Sequence, residues 1–186
     1  MSNSRFSPLD FFIALVLAPS WVTLTVVAII MLVVENPQLP TIFIQERIGY
    51  NGRPFYIFKL RTMIDGKNVT PTGFWLRMTH IDELPQFVNV LLGQMRIIGP
   101  RPLTRADCEK FRDQFGPEFD ELFLLYPGIT GEEQLLGRSR QQAETVDSTK
   151  RLRQKMEASR GRMSLLYLKY IMETIRIMAK RNGSPV

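Results

Sequence analysis

Asp82 and Glu83 stand side by side, immediately before Leu84-Pro85-Gln86 and the apolar run Phe87–Leu92. Within a helix proline is tolerated only in the first turn, so the two carboxylates are expected at a helix N-terminus, where backbone N–H groups and the dipole favour negative charge. A plain reading makes Asp82 an N-cap and Glu83 a first-turn acid. A chemical reading uses their geometry. Adjacent helical residues diverge by about 100° around the axis, so the pair can divide two tasks, one carboxylate attacking phosphorus and the other holding a hard cation. Such chemistry also needs positive charge around the phosphoryl oxygens. The candidates are Arg77, five residues before Asp82; Arg101, whose backbone is fixed by its neighbours in Gly99-Pro100-Arg101-Pro102; and Lys59, Arg61 and Arg138, near predicted turns or strand ends. Taken singly, each is also explained as a solvated surface charge.

The remaining composition narrows the chemistry. Cys108 is the one cysteine and His80 the one histidine in 186 residues. That excludes an internal disulfide and both thiolate-rich and His-rich metal sites, so any metal must be held mainly by oxygens, which favours Mg²⁺, Mn²⁺ or Ca²⁺. With 45% hydrophobic and 23% charged residues, the chain reads as an ordinary folded protein of one domain. Its net charge of +6 is a C-terminal property: residues 151–186 hold nine basic side chains against two acidic, whereas residues 37–150 carry fourteen of each. Such a segment is drawn to nucleic acid or to an anionic membrane surface.

The N-terminus decides between them. Phe11 to Val34 is 24 residues without a charge, which as helix extends roughly 36 Å, enough to cross a hydrocarbon core. A buried helix of a soluble protein is the alternative, but a domain of this size has little room to cover such a helix on every side. The run is too long for a cleaved signal peptide and lacks a preceding basic cluster, so it is read as a permanent anchor. Pro19 interrupts it and predicts a kink, with Ser20 able to satisfy a freed carbonyl. The kink either bends a spanning helix or folds the segment back so that both ends leave by one face. The side bearing Arg47, Arg53, Lys59 and Arg61 is expected in the cytoplasm.

Beyond Glu35-Asn36-Pro37 the elements that must position the charged residues are short. Thr41–Gln45 and Phe55–Phe58 read as β-strands around the hairpin dipeptide Asn51-Gly52. Gly73–Met78, Leu84–Leu92 and Thr104–Phe115 read as helices, Ile98–Pro102 as a rigid connector and Tyr126–Gly131 as a turn-rich loop. Ser148–Arg181 reads as one long helix. Its Leu, Ile, Met and Tyr side chains interleave with Lys169, Arg176 and Lys180, which suits either a lipid interface or a core-packing helix with a basic solvated face.

Several blocks then fall into a recognisable order: Gln45-Glu46-Arg47-Ile48-Gly49, Asn51-Gly52-Arg53-Pro54-Phe55, Phe58-Lys59-Leu60-Arg61-Thr62-Met63, Thr72 to Arg77, Asp82 to Gln86, Gly99 to Pro102, Pro127-Gly128-Ile129-Thr130-Gly131 and Gly137-Arg138. Together they resemble the bacterial sugar transferase family, the monotopic phosphoglycosyl transferases acting on polyprenol phosphate. The resemblance implies a UDP-sugar donor and undecaprenyl phosphate as acceptor, with sugar 1-phosphate passing to the lipid and UMP leaving, as the initiating step of glycoconjugate biosynthesis. It implies Asp82 as the nucleophile of an aspartyl-phosphosugar intermediate and Glu83 as the Mg²⁺ ligand. Arg77 and Arg101 inherit phosphate contacts, joined by Lys59 and Arg138. A re-entrant N-terminal helix broken at Pro19-Ser20 is also implied, with the protein in the bacterial inner membrane.

The expected architecture is therefore α+β and mostly helical, with a small β-hairpin and interfacial amphipathic helices. Residues 1–36 form the re-entrant membrane helix, and residues 37–186 form a catalytic domain at the cytoplasmic face, ending in a basic amphipathic helix. UDP-sugar, undecaprenyl phosphate and the phospholipid bilayer are the expected partners, without nucleic acid, and a homodimer is left open. The rival readings are a non-catalytic membrane scaffold or regulator of the same fold, and a membrane-anchored Mg²⁺-dependent phosphodiesterase in which water takes the lipid's place.

Overall fold

The computed structural model describes residues 7–131, 143–158 and 163–180. Its apolar N-terminal segment forms two helices, α1 (Pro8–Val16) and α2 (Ala18–Glu35), interrupted at Leu17. Pro19 sits in the first turn of α2, where its missing N–H costs nothing, so the break falls two residues before the Pro19-Ser20 pair that the sequence suggests. The hydroxyl of Ser20 is not what closes it. Trp21 donates its indole N–H to the Ala14 carbonyl at 3.0 Å, and its ring stacks on Phe87 with centroids 5.7 Å apart.

Among the described residues α2 alone is long and apolar enough to cross a membrane, and 17% of it is buried. Trp21, Thr25, Ala28, Ile29 and Leu32 form a stripe at helical spacing that faces the protein, while Val22, Leu24, Val26, Val27, Ile30 and Val34 are exposed. Such a helix is apolar on both sides. Its ends nevertheless pack on one body. Near the start of the segment Asp10, 1% exposed, accepts hydrogen bonds from the Ile97 N–H at 2.8 Å and the Tyr167 hydroxyl at 3.1 Å. At the other end Ala28 and Leu32 pack against Leu60 and Leu76.

The hairpin is as the sequence predicts, with longer strands. β1 (Ile42–Ile48) pairs antiparallel with β2 (Pro54–Leu60), Gln45 opposite Ile57 and Phe43 opposite Lys59. Asn51 and Gly52 turn the chain at φ of +54° and +69°, the left-handed conformation that an Asn-Gly pair accepts at little cost. Next comes α3 (Pro71–Met78), capped by the Thr70 hydroxyl, which accepts from the Gly73 N–H at 2.8 Å. A Cβ on Gly73 would overlap the Thr62 backbone, so this glycine lets α3 lie directly on the residues that follow β2.

Asp82 and Glu83 fall in a 3-10 helix, Ile81–Gln86, and the α-helix that follows, α4, spans only Phe87–Leu91. This corrects the single helix over Leu84–Leu92. Pro85 has no N–H to offer the carbonyl four residues back, and its ring crowds that carbonyl, so the chain winds more tightly through the acidic pair. The connector and the loop also hold regular structure: β3 (Arg96–Ile98) and β4 (Gly128–Thr130) form a parallel pair. Gly99 and Gly128 pass so closely beside it that a Cβ on either would overlap the other's backbone.

α5 (Arg105–Phe115) begins in a capping box between Thr104 and Asp107 and leads into a 3-10 segment, Gly116–Leu124. The C-terminal helix predicted over Ser148–Arg181 is present in two described pieces, α6 (Ala143–Ala158) and α7 (Met163–Lys180); residues 159–162 and Arg181 lie outside the described residues. The whole is mostly helical with small sheets. Its largest core cluster gathers Ala14 of α1, Ile57 of β2, Val90 of α4, Ile98 of β3, Leu152 of α6 and Tyr170 of α7.

Candidate active site

The hairpin builds one wall of a cleft. In an antiparallel pair, residues opposite each other share a face and alternate residues repeat it. Phe43, Gln45 and Arg47 of β1 therefore lie with Lys59 of β2, and all four line a cleft of about 380 Å³. Arg61, two residues beyond Lys59, continues the row, its N–H bonded to the Thr41 carbonyl at 2.7 Å. Opposite stand Asp82 and Glu83 from the 3-10 helix, Arg77 from the last turn of α3, and Arg101 from the segment after β3. Five cations and two carboxylates thus border one space.

Asn89 holds the acidic turn against the hairpin. It is fully buried. Its side-chain amide donates to the Tyr56 carbonyl and to Gln94 Oε1, both at 2.7 Å, and its Oδ1 accepts from the Phe58 N–H at 3.3 Å. A buried amide so bonded fixes the register of α4 on β2, and with it the height of Asp82 above Lys59.

Each charged side chain has a defined setting. Asp82 is 7% exposed and borders the cleft. Glu83 Oε1 accepts from Lys59 Nζ at 2.8 Å and lies 3.9 Å from Arg101 Nη2, and both pairs are at least two-thirds shielded from solvent. Arg77 donates its Nε–H to the Thr62 hydroxyl at 2.7 Å. Arg47 donates to the Pro102 carbonyl at 3.1 Å and to Gln45 Oε1 at 2.6 Å, and its Nε is buried with no hydrogen-bond partner. Burial, and secondarily the Arg101 charge, hold the Arg47 guanidinium below its ordinary pKa. Among the described residues no carboxylate lies within ion-pair distance of Arg47, Arg61 or Arg77. Guanidinium groups without a direct carboxylate partner around a polar cleft suit an anion with several oxygens.

The residues named from sequence converge: Lys59, Arg77, Asp82, Glu83 and Arg101 all border the same cleft. Arg138 lies outside the described residues. Pro19 and Ser20 follow the helix interruption, in the first turn of α2, and do not line the cleft. Arg47 was not singled out for chemistry, although it stands in a strand facing Lys59; the alternation of the hairpin was the available signal. Asn89 carried no such signal, because a buried amide looks like any polar residue in a short helix.

The comparison with known proteins matches a sequence profile described as bacterial sugar transferase over residues 4–181. The chain belongs to the bacterial sugar transferase family. Among its relatives are a UDP-glucose:undecaprenyl-phosphate glucose-1-phosphate transferase of Caulobacter vibrioides, 37% identical over 69% of this chain and 52% of that protein, and a UDP-N-acetylgalactosamine-undecaprenyl-phosphate N-acetylgalactosaminephosphotransferase of Aeromonas hydrophila, 34% identical over 66% of this chain and 32% of that protein. A relative of the same name as the first, from Escherichia coli, is 40% identical over 53% of this chain and 24% of that protein. The chain thus spans about half, or less, of the length of these sugar transferases.

No group of three or more His, Cys, Asp or Glu side chains that could hold a metal is present among the described residues. The donor set of this family member is two carboxylates beside a cationic cleft, which is not a protein cage for Ca²⁺. It fits Mg²⁺, which keeps most of its shell for water and substrate phosphates and takes one or two carboxylates from the protein.

Proposed function

We propose that this sugar transferase moves sugar 1-phosphate from a UDP-sugar to undecaprenyl phosphate, with UMP as the other product. One observation carries the reading: a shielded carboxylate, Asp82, borders a cleft walled by five cations, with a second carboxylate, Glu83, beside it. The names of the relatives agree in donor and acceptor class and differ in the sugar.

In the proposed reaction a carboxylate oxygen of Asp82 attacks the sugar-bearing phosphorus of the donor. The bond from that phosphorus to the bridging oxygen breaks, and UMP departs with the electron pair. An oxygen of the lipid phosphate then attacks the same phosphorus and releases the Asp82 carboxylate. Arg101, Arg77 and Lys59 bind the phosphoryl oxygens and stabilise the charge that accumulates on them in each transition state. Glu83, with Asp82 near it, would hold Mg²⁺, which when bound neutralises charge on the diphosphate. The Lys59 and Arg101 contacts fix the Glu83 carboxylate in place.

The same proposal places the protein at the cytoplasmic face of a bacterial inner membrane, with α1 and α2 entering and leaving by that face. The packing of Asp10 and of Leu32 on one body supports it. Asp82→Asn removes the nucleophile with little change of shape, and turnover should fall at least 10⁴-fold while membrane association persists. Intact-mass analysis of donor-treated wild-type protein should locate a sugar-phosphate adduct on Asp82. Near wild-type rates in Asp82→Asn, or free sugar phosphate as the product, overturn the covalent transferase reading.

A further inference from the structure

The cleft continues in two directions. On one side a recess bordered by Pro102, Gly128 and Ile129 shares Arg47, Lys59, Glu83 and Arg101 with it. On the other a hollow beneath the C-terminal turn of α2, bordered by Leu32, Asn36, Leu39 and Pro40, shares Arg61 and Met63 with it. Arg61 is therefore the cation standing between the reacting carboxylates and the end of the apolar helix. It is held in that place. Its Nε–H donates to the Pro40 carbonyl at 2.9 Å, and its guanidinium lies over the Phe43 ring, 5.8 Å from the centroid. No carboxylate among the described residues lies within ion-pair distance of it.

The hollow on this side is largely apolar: Leu32, Leu39, Pro40 and Met63 border it together with Arg61, and the partly exposed Phe43 ring lies beneath the guanidinium. A water-soluble nucleotide gains nothing from such a rim. A monophosphate on a long apolar chain does, because its tail can remain against the apolar surface beside α2 while its headgroup reaches a cation.

We infer that Arg61 receives the phosphate of the lipid acceptor, and that the donor diphosphate is held from the opposite side by Arg101 and Lys59. The inference rests on the transferase reading above. The guanidinium, anchored through Nε, presents its remaining N–H groups to a phosphate as a planar fork, and so positions the attacking oxygen.

Two rates separate the sides. Exchange of labelled UMP into UDP-sugar without acceptor reads the donor step, and initial rates against undecaprenyl phosphate in detergent micelles read the acceptor step, with UDP-glucose, UDP-N-acetylgalactosamine and related UDP-sugars as probes. Arg61→Gln should raise the acceptor KM at least tenfold while UMP exchange and the donor KM change less than twofold. Arg101→Ala, by contrast, should slow UMP exchange and raise the donor KM. An unchanged acceptor KM, or exchange that falls in parallel with overall turnover, overturns the assignment. Should Arg61→Gln fail to fold by circular dichroism, Arg61→Lys carries the same test: a severalfold rise in acceptor KM with exchange intact supports it, and wild-type values overturn it. Wild-type protein without exchange on any of these donors instead overturns the transferase reading itself.

Discussion

At the residue scale the molecule separates groups that must be shielded from groups that must react. Asp82 and Cys108 are similarly buried, at 7% and 6% exposure, but their surroundings differ. Asp82 looks into a cationic cleft, whereas Cys108 sits among Leu103, Phe111, Phe119 and Val146. Burial, reinforced by the Asp107 charge, pushes the Cys108 thiol up to about 11. The thiolate is the disfavoured form in the folded chain, so the sign of the linkage is that stability is unaffected below the ordinary thiol pKa of 9.0 and declines as pH rises from there towards about 11. Reaction of Cys108 with a water-soluble disulfide reagent should therefore remain slow at pH 8 in the native protein and become fast in denaturant. Fast native-state labelling at pH 8 would contradict this burial.

At the element scale, short pieces are made accurate by close approach and by buried polar bonds rather than by length. The acidic pair rides on a 3-10 turn and a five-residue helix, neither of which could hold its shape alone. Asn89 ties that unit to β2, and Gly73 lets α3 press on Thr62, whose hydroxyl in turn accepts from Arg77. Gly73→Ala forces the helix off the Thr62 backbone, which should cost about 1–3 kcal/mol of stability. It should also lower kcat beyond what the stability change explains, because Arg77 moves with the helix. Thermal denaturation and initial rates measure the two effects, and an unchanged Tm would show that α3 does not depend on this contact. The hairpin was legible because Asn51-Gly52 and two alternating runs are local signals. The parallel pairing of β3 with β4 was not, because three-residue strands about 30 residues apart leave no periodicity and are held by the approach of Gly99 to Gly128.

For the whole molecule, the proposed membrane placement calls for exposed apolar surface, and the described residues supply it. Beyond the outer side of α2, Phe74 and Trp75 of α3, Leu92 after α4, and Leu165, Leu168 and Met172 of α7 are exposed. Transfer of one such side chain from water to hydrocarbon gains about 1.5–3 kcal/mol, so each one that reached a bilayer would add that much to the proposed membrane association. If α1 and α2 enter and leave by one face, cysteines introduced as Ser2→Cys and Asn36→Cys should both react with an impermeant thiol reagent from the cytoplasmic side only. The slow chemistry of Cys108 keeps the background low. Labelling of the two positions from opposite sides would replace the re-entrant arrangement with a spanning one.

The sequence alone determined what depends on residue type and near neighbours: an uncharged apolar run broken near Pro19, a hairpin at Asn51-Gly52, helices over Gly73–Met78 and Thr104–Phe115, and an acidic pair with cations in family order. Those features follow from local backbone preferences and from charge, which need no partner across the fold. Tertiary structure decided where the pieces meet. It set Arg47 and Arg61 in one row with Lys59, placed Arg61 between the cleft and the end of α2, paired Glu83 with Lys59 and Arg101, and buried Asp10 against Ile97 and Tyr167. Contacts between residues 18 to 157 positions apart arise from the packing of several elements at once, and no pattern within a single segment encodes them.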